Sequence, residues 1–303
     1  MAGWLDAFVP VFGLLLLGAV LRRRLLRDDA VWAGMERLVF WVLLPALLVN
    51  ALSTVNLATL PVGGMAAAIW IALGLGTALS VVLARLLGHG HPAMTSVLQG
   101  GIRFNNLMGF AIAGPVWGAE GLALAAVATG LIVPCVQVLV TTAFALDGRR
   151  VRPLAVLRQV ALNPLLLGCA IGFAASALGG LPAGVGPTVR ALGQATIALG
   201  LLCVGAALTP AGLRAGLGTQ GATAVLKLVV MPAMTYGLCQ ILGLPPLPTA
   251  IATILIALPT ATTAYVMARA MGGDAPLMAA ITTSQHVLAV VTLPLWVLFL
   301  TGG

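Results

Sequence analysis

The segments RFNNLMGF (103–110) and LPTATTAY (258–265) interrupt two long apolar stretches of the sequence. Asn105 and Asn106 are poor helix formers because their side chains compete for backbone hydrogen bonds. Pro259 lacks a backbone N–H and clashes with the preceding turn of a helix. Each segment is therefore predicted to break a helix rather than to continue it.

The composition around both segments is that of a membrane protein. Of the 303 residues, 61% are hydrophobic and 7% are charged, which is far too apolar for a water-soluble domain. A membrane-spanning helix needs roughly 20 apolar residues. The predicted spans are the ten ranges 5–22, 36–54, 61–85, 93–115, 119–146, 154–179, 188–212, 217–242, 247–270 and 277–300. The sequence thus predicts an all-α, polytopic membrane protein with ten transmembrane helices.

The net charge of +8 reflects where the basic residues lie relative to these spans. Three of the 15 basic residues are exceptions to a common pattern. Arg190 lies on the opposite side of the membrane from the other loop residues, and Arg103 and Lys227 lie within spans. The other twelve basic residues follow odd-numbered spans: Arg22, Arg23, Arg24, Arg27, Arg37, Arg85, Arg149, Arg150, Arg152, Arg158, Arg214 and Arg269. The positive-inside rule places these loops in the cytoplasm and both termini on the outer side. The charge therefore indicates membrane topology and no nucleic-acid partner.

Signatures of catalysis or cofactor binding are missing from the sequence. It contains no HExxH, GxSxG, P-loop or paired-acid motif. The four cysteines fall in four different predicted spans without a paired spacing, so no disulfide is expected. His89 and His91 are interpreted as a solvated loop pair rather than as a metal site. We expect no enzymatic activity, no metal and no cofactor.

The basic loop 147–153 divides the chain into two halves, 1–146 and 154–303, with five predicted spans each. A repeat with an odd number of crossings enters the membrane from opposite sides in its two copies, so the second half is predicted to be inverted. Both interruptions fall in the fourth span of their half. The alternative is a chance resemblance between two Ala/Gly-rich spans.

Alignment of the halves supports the repeat. At a constant offset of 155 positions, Phe104 faces Pro259 and Asn105 faces Thr260. Inverted repeats with interruptions at matching positions are typical of secondary carriers, in which the broken helices cross at mid-membrane and hold the substrate. The pairing therefore predicts that spans 4 and 9 are broken helices that cross.

Arg103 is the strongest candidate for a functional cation. It lies about ten residues into its span, roughly 15 Å along a helix, which is too deep for its side chain to reach the surface comfortably. No acidic residue is predicted deep in any span, so a carbonyl, a polar side chain, water or a substrate anion must face it. Lys227 lies similarly deep in span 8 and needs a partner for the same reason. Two alternative roles remain for these cations: they bind the substrate, or they stabilise unwound backbone.

The first turn of a half-helix has free N–H groups and a partial positive charge, which suit a carboxylate. The predicted substrate site consists of Arg103, Asn105, Asn106, Pro259, Thr260, Thr262, Thr263 and Tyr265. Lys227, Gln285 and His286 are predicted to support it, and a change in the protonation of His286 during transport is a further hypothesis. For Tyr265, packing against neighbouring helices is the alternative.

Six short motifs then suggest a family. In order, they are FVPVF (8–12), LLPALL (43–48), NNLMG (105–109), LPTATTAYV (258–266), GGD (272–274) and LPLW (293–296). In their order and spacing the chain resembles bacterial members of the auxin efflux carrier family, whose plant relatives are the PIN-FORMED carriers. The resemblance covers nearly the whole length.

This resemblance implies a fold of ten helices in two inverted repeats. Spans 1, 2, 6 and 7 would form a scaffold, also the surface for a homodimer, and spans 3–5 and 8–10 a mobile transport unit. Substrates of the family are mainly organic anions such as carboxylates. The plant carriers have proline at both crossings, whereas Phe104 stands at the first position here. The prediction of a break in span 4 therefore rests mainly on Asn105.

Our main hypothesis is a secondary transporter of the bacterial cytoplasmic membrane that moves a small organic anion by an elevator-like motion. Without an intramembrane carboxylate, the sequence leaves the coupling ion open between proton, sodium and none. One alternative is a sodium-coupled organic-anion carrier of the bile-acid type. Another alternative is an anion channel.

Overall fold

The computed structural model describes residues 2–53, 61–145, 153–209, 213 and 216–302, and this part of the chain contains helices and no β-strand. The prediction of an all-α protein is thus confirmed. The helices are α1 (Ala2–Arg24), α2 (Asp29–Leu38), α3 (Leu44–Leu52), α4 (Val62–Leu86), α5 (His91–Ile102), α6 (Asn106–Ala145), α7 (Pro153–Ala161), α8 (Pro164–Ala177), α9 (Val185–Ala207), α10 (Leu217–Val225), α11 (Met231–Ile241), α12 (Pro246–Ala257), α13 (Thr263–Met271) and α14 (Ala275–Thr301).

Short π-helical turns join α2 to α3 (Val39–Leu43) and α10 to α11 (Leu226–Val230). Six segments of the described chain are long and apolar enough to cross a membrane: Asp29–Leu52, Val62–Leu86, His91–Ala145, Val185–Ala207, Leu217–Ile241 and Ala275–Thr301. The third comprises 55 residues, or about 80 Å of helix, which is long enough for two crossings. Gly118 within it has φ 68° and ψ −160°, so the helix bends sharply there.

Several helix boundaries differ from the prediction, and two of the differences have a local cause. Predicted span 6 (154–179) is not one helix, because Asn163 accepts a hydrogen bond from the Leu165 N–H and caps a new helix that begins at Pro164. Predicted span 2 begins earlier than expected, since Asp28 caps α2 through the Ala30 N–H. The predicted linker 147–153 and Arg214 lie outside the described residues, apart from the backbone of the last linker residue.

The chain separates into two compact units. Unit 1 comprises residues 1–62, 107–130 and 157–207, and unit 2 comprises residues 63–106, 131–156 and 208–303. In unit 1, α1 packs along α9, and α3 packs against α8 and α9. Small residues lie at these contacts, as in many membrane helix pairs.

Two glycines bring α1 and α9 into close contact. A Cβ atom at Gly18 would overlap the backbone carbonyl of Leu202, and one at Gly205 would overlap the carbonyl of Leu15. Since backbone atoms cannot move aside as a flexible side chain can, this contact requires glycine at both positions.

In unit 2, the loop after α13 positions the last helix. Gly272 ends α13 with φ 74°, and the Asp274 side chain accepts from the Leu277 N–H at 3.0 Å. The backbone of Asp274 donates to the Pro92 carbonyl at 3.0 Å and accepts from the Ser96 hydroxyl at 2.9 Å. These bonds fix α14 against the first turn of α5.

Gly18→Ala is expected to destabilise unit 1, because its methyl group overlaps a backbone carbonyl. Overpacking of this kind typically costs 1–3 kcal/mol, so the apparent Tm in detergent should fall by roughly 5 °C. Gly13→Ala, on the same helix, is the matched control because nothing lies within 4 Å of its added Cβ. Equal Tm values for the two variants would contradict the close contact of α1 and α9.

Candidate functional site

Both interruptions lie in unit 2 and contact each other. The first interruption (residues 103–105) separates α5 from α6, and the second interruption (residues 258–262) separates α12 from α13. The Asn105 N–H donates to the Pro259 carbonyl at 2.8 Å. The structure thus brings two predicted site residues together across a distance of about 150 positions in the sequence.

Gln285 of α14 bridges the two interruptions. Because α5 ends at Ile102, the Gly100 carbonyl has no helical N–H to accept from. It accepts instead from Thr260 Oγ1 and from Gln285 Nε2, both at 2.9 Å. The Thr260 N–H in turn donates to Gln285 Oε1 at 2.9 Å. One buried amide side chain therefore satisfies backbone groups on both sides of the contact.

His286 contacts the side chain of Asn105, and both residues are buried. The ring Nδ1 lies 2.8 Å from the Thr282 carbonyl, and Nε2 lies 3.2 Å from Asn105 Nδ2. Since a carbonyl oxygen only accepts, Nδ1 carries the hydrogen and Nε2 accepts from the amide of Asn105. The contact ties α14 to the first interruption through side chains, next to the backbone bridge made by Gln285.

Arg103 is half-buried and ends α5. Its N–H donates to the Gln99 carbonyl at 2.9 Å. Its Nη1 donates to Gln99 Oε1 at 3.0 Å and contacts Met267 Sδ at 2.9 Å. Its Nε and Nη2 make no hydrogen bond to any other described residue, and together they form the edge of a guanidinium that pairs with carboxylates.

Gln99 adds a second donor beside this guanidinium. The residue is fully buried, and its Oε1 accepts from Arg103. Its Nε2 finds no partner within the described part of the chain. The end of α5 thus carries an excess of hydrogen-bond donors, which is an environment that favours an anion.

The other predicted residues lie at the start of the following helices. Asn106 is half-buried and is the first residue of α6, and Thr262 precedes α13 without a side-chain cap bond. Thr263 is exposed, and the Tyr265 side chain is 38% exposed. No hydrogen bond links the side chains of these four residues to Arg103 in the described structure.

Lys227 lies in the π-helical turn between α10 and α11, which packs against α5, α12 and α14. It is fully buried, and its Nζ has no hydrogen-bond partner among the described residues. Trp296 Nε1 donates to the Leu228 carbonyl of the same turn at 2.8 Å. The turn is therefore tied to α14 but not hydrogen-bonded to either interruption.

A family model described as a membrane transport protein matches residues 4–297 of this chain. The chain belongs to the membrane transport protein family. A search among curated proteins finds no match. The family is one of transport proteins rather than of enzymes, and the apolar helices of unit 1 and unit 2 indicate an integral membrane protein.

Three residues beside the interruptions of this membrane transport protein were not among the predicted site residues: Gln99, Gly100 and Met267. Gln99 had a visible signal, since it precedes Arg103 by four positions and therefore lies on the same face of a helix. Gly100 acts through its backbone, and Met267 through a soft sulfur contact. Neither role leaves a polar signal in the sequence.

Gln285→Met is expected to lower the apparent Tm of the transporter, because it leaves the Thr260 N–H unpaired and removes one donor from the Gly100 carbonyl. An unpaired buried group costs about 1–3 kcal/mol. Hydrogen exchange of residues 258–262 should become faster. Ser284→Ala is the control, since Ser284 donates only to the Ile281 carbonyl of its own helix. Wild-type exchange in Gln285→Met would contradict the bridge.

Proposed function

We propose that this chain is a secondary transporter that carries a small organic anion of the carboxylate class across the bacterial cytoplasmic membrane. One observation carries the proposal. The chain belongs to a transport family, and Arg103 lies at a helix interruption within unit 2. The Nε and Nη2 atoms of Arg103 form one edge of its guanidinium and make no hydrogen bond to any described residue. A guanidinium of this kind binds a carboxylate through two parallel hydrogen bonds.

Neighbouring groups complete the proposed anion site. The N–H groups of Thr262 and Thr263, at the start of α13, donate to no described residue, and a helix N-terminus favours an anion. Asn106 stands at the corresponding start of α6. The backbone N–H of Thr260 is engaged by Gln285, so we assign Thr260 and Pro259 to holding the site rather than to contacting the substrate.

We further propose that the two interruptions are the crossing of two broken helices in an inverted repeat. Their bond from Asn105 to Pro259 and their matching places in the two halves support this. The transport motion is elevator-like. Unit 1 holds predicted spans 1, 2, 6 and 7 of the scaffold, and unit 2 holds predicted spans 3, 8, 9 and 10 together with the interruptions. Predicted spans 4 and 5 are divided, since residues 107–130 belong to unit 1 and the rest of both spans to unit 2. The placement of the eight undivided spans is the support for separate scaffold and transport parts.

The proposed topology places both termini on the outer side, as the basic residues indicate. The scaffold helices of two copies are proposed to form a homodimer, as in the auxin efflux carriers that the sequence resembles. The bilayer and the organic anion are the remaining partners. Nothing in the proposal requires a metal or an organic cofactor.

Arg103→Ala and Asn105→Ala are expected to reduce anion uptake by at least about tenfold, because each removes a hydrogen bond to a charged group. Uptake is measured in proteoliposomes with radiolabelled benzoate, lactate, malonate and succinate. Arg85→Ala is the matched control, since Arg85 is an exposed residue of unit 2 at the end of α4. Wild-type uptake in both site variants would refute the site assignment.

The same vesicles separate the alternatives. Saturable uptake with counterflow supports a carrier, whereas single-channel currents support an anion channel. Uptake that requires a sodium gradient supports the sodium-coupled carrier. No uptake of any of the four acids, in vesicles containing folded protein, would contradict the carboxylate class.

Lys227→Met is expected to leave the apparent Tm unchanged or to raise it, because replacing a buried unpaired amine with an apolar side chain of similar size removes a desolvation cost. If Lys227 supports the anion by its charge, uptake falls in the same variant. Both quantities are measured on one preparation. A lower Tm with wild-type uptake would show that Lys227 is structural only.

A further inference from the structure

We propose that His286 is a proton-binding site of the transport cycle, and that its protonation reorients Asn105 and favours the bound anion. The inference rests on the proposed function, since it names the coupling ion of the same site. It stands on the contacts of one ring, in which Nδ1 faces the Thr282 carbonyl and Nε2 faces the amide of Asn105.

These two contacts fix the neutral ring. Nδ1–H donates to Thr282, and the Nε2 lone pair accepts from Asn105 Nδ2. Asn105 is at the same time held through its backbone, because its N–H donates to Pro259. The side chain is thus the part of Asn105 that is free to change partner, while the contact of the two interruptions stays in place.

Protonation reverses the hydrogen bond between the two side chains. A proton from the aqueous phase adds to the Nε2 lone pair, and no covalent bond is broken. Nε2–H would then face the NH2 group of Asn105, and two buried donors oppose each other. Turning the Asn105 amide by about 180° brings Oδ1 to the ring and restores the bond. The NH2 group then occupies the place that the oxygen held.

This change favours an anion for two reasons. On the side of Asn105 away from His286, a donor replaces an acceptor. In addition, a positive charge appears at the first interruption, two positions from Arg103 in the sequence. Because linkage is reciprocal, anion binding also favours the protonated ring. The proton and the anion are therefore expected to move together.

The charged groups around α14 support this direction. α14 packs against α5, α10, α12, α13 and the π-helical turn. α5 carries His91 and is followed by Arg103, α13 carries Tyr265 and Arg269, the π-helical turn carries Lys227, and α10 and α12 carry none. α4 shares a buried cluster with α14 through Ala84 and adds Arg85. Asp274 caps α14 three turns before His286, about 18 Å along the helix. In the described part of these elements no carboxylate lies closer along α14, so a substrate anion is the counter-charge available to a protonated ring.

The first test is NMR of the apo transporter labelled with 15N-histidine, with His286→Gln identifying the signal among three histidines. At pH 8 the wild-type ring is expected to be the Nδ1–H tautomer. In Asn105→Asp, whose carboxylate accepts from a charged ring, a larger fraction of His286 should be doubly protonated at pH 7. An Nε2–H tautomer at pH 8, or a titration that Asn105→Asp leaves unchanged, would overturn the proposal. This test needs no anion.

The second test measures anion binding by thermal shift with benzoate and lactate, which stay ionised at pH 6 and above. Wild type should bind about tenfold more tightly at pH 6 than at pH 8, the effect of about one hydrogen bond to a charged group. His286→Gln should bind equally at both values. His89→Gln is the matched control, since His89 contacts Thr219 outside the site, and it should retain the wild-type dependence.

The outcomes of this binding test distinguish the two proposals. A pH dependence that persists in His286→Gln overturns the role of His286 while leaving the anion site intact. Absence of stabilisation by either acid contradicts the proposed carboxylate, and the NMR titration alone then decides whether Asn105 and His286 form a proton site.

Discussion

A backbone that leaves the helix inside a membrane protein must find hydrogen-bond partners within the protein, because hydrocarbon offers none. Unit 2 meets this constraint with very few groups. The Asn105 N–H is paired with Pro259, and Gln285 pairs both the Gly100 carbonyl and the Thr260 N–H. Each interruption thus supplies partners for the other. Neither is expected to be stable alone, and this mutual dependence explains why they occur as a pair.

The same constraint determines which hydrogen-bonding groups remain available to a ligand. The backbone groups at the centre are satisfied by neutral partners, so the charged group is not needed for that task. Arg103 bonds Gln99 through one nitrogen and keeps its other edge without a partner in the described chain. A site that can accept and release a ligand needs such an arrangement, because a guanidinium fully paired with protein groups would have to break those bonds first.

The places where the helices break were largely visible in the sequence, and their partners were not. Pro259 and the asparagine pair act locally, through a missing N–H and competing side chains. The bridge by Gln285 depends on a carbonyl of Gly100, a residue without a side chain. The contact of His286 with Asn105 joins positions 181 apart, and the offset of the two halves does not align them. Tertiary hydrogen bonds to backbone groups produce no periodic pattern in the sequence, so they could not be predicted from it.

Some local signals were present but outweighed. Asn163 and Pro164 form a typical helix start, yet the apolar residues on both sides favoured one continuous span. The π-helical turn that carries Lys227 ends at Val230, two positions before Pro232. Such turns arise from backbone geometry around the proline as much as from residue type. Their exact position was therefore not predictable from hydrophobicity.

Arg103, which is half-buried, and Lys227, which is fully buried, differ in their chemistry, and we therefore propose different roles for them. A lysine can release its proton and exist as a neutral amine, whereas a guanidinium remains charged in a protein. Lys227 has no partner in the described chain, and a neutral amine would tolerate that position at modest cost. Arg103 cannot take this route, and the carbonyl end of α5 offers it only partial compensation. The permanent and only partly compensated charge of Arg103 therefore needs an anion more than Lys227 does, since Lys227 can lose its charge by releasing a proton. The proposed anion site is therefore centred on the first interruption, and the second contributes mainly the backbone partners that hold it.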